Sequence, residues 1–165
     1  MSRRLAILAM LALPFSGGAN AAPPERSAVL AKAAEAAEVC VQNMPNSQAT
    51  TNALKAHGFG LADANGPLKA YTAISNRVAV IISSPSRSSE ACVIGVGKLS
   101  EAEAMQLLKP WLSSSETRPI PVNGNFTRAW TGRFKGRPVD IAISRTTDLY
   151  YFTGRTIMVR AAQNP

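Results

Sequence analysis

The chain has one histidine, His57, and two cysteines, Cys40 and Cys92, in 165 residues, and only ten acidic against eighteen basic side chains. A single imidazole with two thiols provides no closed zinc-type ligand set, so the sequence implies neither a metal nor any other cofactor. There is no Cys-x-x-Cys pair of the thioredoxin kind, no Gly-x-Ser-x-Gly elbow and no phosphate-binding Gly-rich loop. "GVGK", residues 95 to 98, has neither nucleotide-loop spacing and falls inside a strand pattern. Long apolar runs are missing too. The longest, "LAILAMLALPF" from Leu5 to Phe15, falls short of the roughly 20 residues that a membrane-spanning helix needs.

That apolar run follows Arg3 and Arg4 and precedes Ala19-Asn20-Ala21, the charge, core and small-residue ending of a secretory signal. Residues 1–21 are therefore expected to be removed near Ala21, which makes the protein periplasmic or secreted, with no transmembrane anchor. Ala22 and Pro23 stand where a lipoprotein would carry its cysteine. The remaining residues 22–165, about 144 of them, fit one domain. In an oxidising compartment the two cysteines are expected to pair as a Cys40–Cys92 disulfide. Closing a loop of 52 steps would stabilise the fold by about 4 kcal/mol.

Without Arg3 and Arg4 the net charge falls from +8 to about +6. Most of that excess lies in the C-terminal third, where Arg118 to Arg160 holds eight Arg or Lys against Asp140 and Asp148. The balance favours anionic partners.

"ERSAVLAKAAEAAEVCVQNM" repeats apolar Val29, Ala33, Ala36, Cys40 and Met44 at helical spacing, and "SQATTNALKAH" predicts a second helix ending at Gly58. His57 in its last turn suits a local role at the helix end rather than a catalytic or metal role. "AYTAISNRVAVIISS" (70–84) and "EACVIGVGKL" (90–99) predict a β-hairpin around the polar run 85–90. A third helix is expected from Glu101, with Ser100 and Glu103 as a capping box and Ala104, Leu107, Leu108, Trp111 and Leu112 as its apolar face. "FTRAWTGRF", "RPVDIAISR" and "LYYFTGRTIMVRA" follow as three strands, the last weakened at Gly154-Arg155. The expected fold is α+β in the order ααββαβββ: an antiparallel sheet of about five strands with two or three helices on one face. Helix followed by hairpin occurs twice in element order, with no residue-level repeat.

The stretch "RAWTGRFKGRPVD" sets Trp130 and Phe134 among arginines. Turning at Lys135-Gly136 pairs Trp130 with Ile141, Gly132 with Val139 and Arg128 with Ile143. Phe126, Trp130 and Phe134 then share the core side with Val139, Ile141 and Ile143, while Thr127, Ala129, Thr131, Arg133, Asp140 and Ser144 share the other. That separation disfavours nucleic acid, whose single strands need exposed aromatics along a basic groove. Arg128, Arg133, Lys135 and Arg137 remain as a candidate anion-binding tip. Charged turns also serve simply to discourage edge pairing.

For catalysis, a Ser-His-Asp set would need His57 with Asp63 or Asp140, and a carboxylate pair would draw on Glu101, Glu103, Glu116, Asp140 and Asp148. Glu101 and Glu103 are already accounted for by a helix start. The sequence therefore points away from an enzyme and toward a small exported binding protein. Its partner would be an anionic envelope component, or another protein, met through the basic C-terminal sheet. The alternative is a small periplasmic hydrolase whose site is assembled from distant residues. Tyr150, Tyr151 and Phe152 are candidates for an apolar contact with a protein partner. Oligomeric state is not encoded in any motif.

Overall fold

The computed structural model describes residues 24–83, 90–122, 124–149 and 152–162. The signal-peptide segment, most of the loop 85–90 and the pair Tyr150-Tyr151 lie outside these residues, as does the side chain of Phe152.

Helix α1 (Pro24–Asn43) starts on a proline, whose missing N–H costs nothing in a first turn. Its predicted stripe of Val29, Ala33, Ala36, Cys40 and Met44 is buried throughout. Helix α2 (Ser47–Ala56) is capped by the Asn46 side chain, which accepts from the Ala49 N–H. It closes at Gly58, φ +77°: the Gly58 N–H donates to the Lys55 carbonyl and the Phe59 N–H to that of Leu54, which turns Phe59 into the core. Helix α3 (Glu101–Leu112) begins where expected, with the reciprocal Ser100–Glu103 capping box formed and Ala104, Leu107 and Leu108 buried.

The sheet differs from expectation. Among the described residues it has eight antiparallel strands rather than about five, in the spatial order β1-β2-β3-β4-β10-β7-β6-β5. The strands are β1 (Gly60–Asn65), β2 (Leu68–Ala73), β3 (Val78–Ser83), β4 (Ala91–Val96), β5 (Arg118–Pro119), β6 (Phe126–Phe134), β7 (Arg137–Ser144) and β10 (Thr156–Ala161). A separate short pair, β8 (Thr147–Leu149) with β9 (Phe152–Gly154), lies between β7 and β10 in the chain.

The stretch from Ala70 to Ser84, expected as one strand, is parts of two. It reverses through Ile74, Ser75 and Asn76, all left-handed at φ 50°, 50° and 67°. Composition hides the turn because Ile74, a β-branched residue in a conformation that disfavours it, packs its side chain on the core. Strand β1 was missed for the opposite reason. All six of its residues are exposed, so it has no alternation to read.

A helix followed by four sheet strands occurs twice, α2 with β1 to β4 and α3 with β5, β6, β7 and β10, and the final strands of the two units pair at the centre. Helix α1 lies over β3, β4 and β10, between α2 and α3. The Cys40–Cys92 disulfide, Cα–Cα 5.9 Å, fastens α1 to β4 and thereby marks which face of the sheet the helices cover. Ile94, Ile141, Ile143, Ile157 and Val159 share that face with Cys92 by register and are buried.

Candidate functional site

The β6–β7 hairpin has the expected register: Trp130 opposite Ile141, Gly132 opposite Val139, Arg128 opposite Ile143. Lys135 and Gly136, at φ 51° and 75°, make the turn with both central residues left-handed, the form that matches the twist of paired strands. The alternation fails only at its start. A register shift between Phe126 and Arg128 sets Phe126 opposite Ser144, so Phe126 does not continue the core-facing row.

Three of the four tip cations are engaged within the molecule. Helix α1 has no basic residue in its last turn, and Arg137 provides the charge from another strand by donating to the carbonyls of Gln42 and Asn43. Lys135 donates to the side-chain oxygen of Gln42 at 3.0 Å. Arg128 reaches back to the helix side, its Nε 2.6 Å from Glu101 in the first turn of α3. Arg155 approaches the other oxygen of Glu101 at 3.3 Å and donates to the Ser144 carbonyl and the Thr127 hydroxyl. The Arg128 hydrogen bond, with the charges of both arginines, holds the Glu101 carboxyl below its ordinary range. Arg133 is exposed and has neither a hydrogen bond nor an ion pair among the described residues.

Arg133 points to the other face of the sheet. Register carries three rows across that face. Arg118, Thr131, Asp140, Arg160, Ala91 and Ser83 form the first. Ala129, Ala142, Met158, Val93, Ile81 and Ala70 form the second, apolar throughout, and Ser144, Thr156, Gly95, Ala79 and Thr72 lie in the third. No helix among the described residues packs here. Asp140, only 6% exposed, meets Arg160 across the strands at 3.6 Å, and the buried Nε of Arg160 has no hydrogen-bond partner among the described residues. Arg118 is exposed and free of an acidic partner among the described residues; its cross-strand neighbour Thr131 lies two residues from Arg133. The helix-free face thus brings Arg118 and Arg133 together within about 7 Å of strand length. Sequence reading missed Arg118, since only the edge pairing of β5 with β6 makes it a neighbour.

Of the groups considered for catalysis, the side chain of Asp148 lies outside the described residues, and His57 and Glu103 have local partners. His57 is the C-cap of α2, and its Nδ1 lies 3.4 Å from Glu35, whose carboxyl is held below its ordinary range chiefly by the Lys32 hydrogen bond. Glu103 is clasped by Arg26 at 2.8 and 3.0 Å and accepts from the Ser100 N–H and hydroxyl; the Arg26 hydrogen bond first, and those from Ser100 after it, hold its carboxyl down at about 2. Arg26 also donates to the carbonyl of Gly97, so its guanidinium ties α1 to Glu103 of α3 and to the residue that follows β4. Among the described residues no three His, Cys, Asp or Glu side chains converge as a metal site. A crevice of about 20 Å³ between α2 and the β1–β2 hairpin, lined by Ser47, Gln48, Thr51, Pro67, Lys69 and Ile82, has room for about one water. No family model matches this chain, and no curated protein or solved structure matches it either.

Proposed function

We propose that this chain is an exported, non-catalytic binding protein that receives a phosphate- or sulfate-bearing envelope polymer on the helix-free face of its sheet. The observation that carries this reading is the pair Arg118 and Arg133, exposed on neighbouring strands beside Thr131 and unneutralised by any described acid. Two guanidinium groups flanking a hydroxyl can donate several directed hydrogen bonds to one anionic group. The two arginines sit on paired strands rather than on a loop, in a sheet whose opposite face the helices cover and the disulfide fastens.

The test is elution of the mature, oxidised protein from heparin beside a sulfonate exchanger of matched charge. The parent is expected to leave heparin at the higher salt concentration. R118A/R133A should remove that difference, whereas K135A, on the helix-side tip, should keep it. Equal elution of the parent from both resins, or an unchanged R118A/R133A protein with parental circular dichroism, would overturn the reading.

A further inference from the structure

The two edges of the sheet are unlike. Strand β5 is two residues long and ends in Pro119, which offers no N–H to an incoming strand. Strand β1 runs six residues, all exposed, and only its inner edge is paired among the described residues, to β2. Two large exposed apolar side chains belong to its hairpin, Leu61 at 54% and Leu68 at 37%. Asp63 and the register shift between Leu61 and Asp63 are the features that blunt this edge.

Which backbone groups face outward follows from the turn. Asn65 pairs directly with Leu68 across Gly66-Pro67; a left-handed Gly66 followed by proline, whose φ is fixed negative, suits a two-residue hairpin turn. The N–H and C=O of Asn65 therefore face β2, and strand alternation turns those of Ala64 outward.

We propose that β1 joins two copies of this chain, β1 antiparallel to β1 about a twofold axis at Ala64. The two Ala64 residues then exchange both N–H and C=O groups as a hydrogen-bonded pair. In the same register Asp63 faces Asn65 of the second copy, twice by symmetry, so each carboxylate accepts from an amide. An axis at Asp63 would instead set two carboxylates face to face, and one at Ala62 would fall in the irregular part of the strand. The proline-ended β5 cannot receive β1, so the head-to-tail contact that would propagate a filament is closed off and pairing stops at two. In this register Asp63, Ala64 and Asn65 of each copy are the paired residues, a contact well below the size of stable interfaces, so a dissociation constant of roughly hundreds of micromolar is expected, on the order of a weak transient pair. The surface is separate from Arg118 and Arg133, and the dimer stands or falls independently of polymer binding.

Sedimentation equilibrium of the mature, oxidised protein from about 5 µM to about 1 mM spans that range. The parent should shift from monomer to dimer. Ala64→Pro removes the outward N–H without touching the β2 ladder and should stay monomeric. Asn65→Asp leaves the central turn residues Gly66 and Pro67 unchanged but sets a second carboxylate opposite Asp63 in each copy. It should weaken association by about tenfold at low salt and recover part of that loss in about 0.5 M salt. Should Ala64→Pro lose its parental melting curve, Asn65→Asp decides. A parent that stays monomeric throughout, including one whose β1 takes a strand from some other protein, overturns the proposal, as does an Asn65→Asp protein that dimerises like the parent.

Discussion

Removing the disulfide with C40A/C92A tests the brace between helix layer and sheet. The bond closes a loop of 52 residues, and the chain-entropy relation gives about 4 kcal/mol for a loop of that length. Both cysteines are 0% exposed, so the substitutions also remove two sulfur atoms from a packed interior, which adds to the loss rather than offsetting it. With net stabilities of about 5–15 kcal/mol for single domains, the variant should retain between none and two-thirds of the parental value. Urea unfolding followed by far-ultraviolet circular dichroism, with the parent oxidised, measures the difference directly. Each kcal/mol moves the melting point of a domain this size by about 3–5 °C, so a fall of at least about 10 °C is expected. A loss under about 1 kcal/mol would refute the reasoning, because α1 would then be held to β4 by packing alone. The same burial predicts that neither sulfur reacts with a thiol–disulfide reagent until the domain opens.

Glu103 should set the acid limb of stability. Its carboxyl is depressed from 4.5 to about 2 by Arg26 and Ser100, so it stabilises the fold above its unfolded pKa, and that contribution disappears as pH falls from about 4.5 toward 2. The shift corresponds to at most about 3 kcal/mol, and with the side chain 28% exposed, solvent screening leaves about 1–2 kcal/mol. E103Q should be less stable than the parent by that amount at pH 7, with the gap narrowing toward pH 2 in parallel urea titrations; a gap independent of pH would refute the ion-pair account. At Gly154 an added Cβ would lie 3.1 Å from the backbone of Val96, Lys98 and Leu99, where β9 runs against the turn after β4. G154A should therefore cost about 1–3 kcal/mol as overpacking against an immovable main chain, and a melting point within a degree of the parent would contradict it.

How far the sequence could be read depended on whether an element buries one face. The stripe of α1, the capping box at Ser100 and the β6–β7 register were legible because each couples a periodic apolar set to a specific local signal. β1 buries nothing, so it left no period, although Gly66-Pro67, a glycine free to be left-handed followed by a proline, carried the turn chemistry that could have revealed it. The turn at Ile74 to Arg77 was hidden by the demand of the core for an apolar residue at a left-handed position, a tertiary requirement overriding local preference.

The same distinction explains why the cations sort differently in three dimensions from their order along the chain. Lys135 and Arg137 look like a free charged tip because nothing nearby in sequence neutralises them, yet α1 ends some 90 residues earlier with its final carbonyls uncapped by any basic residue of its own. Once the hairpin folds over that helix end, the backbone at Gln42 and Asn43 is the partner of Arg137, and an external anion would have to compete with it. Arg128 is drawn off in the same way by Glu101, which itself belongs to the start of a helix. Helix termini thus consume the cations on the covered side of the sheet. Arg118 and Arg133 escape because the opposite face has no described helix to claim them, and charge that reads as one basic cluster in sequence divides into a structural set and a set left available to solvent.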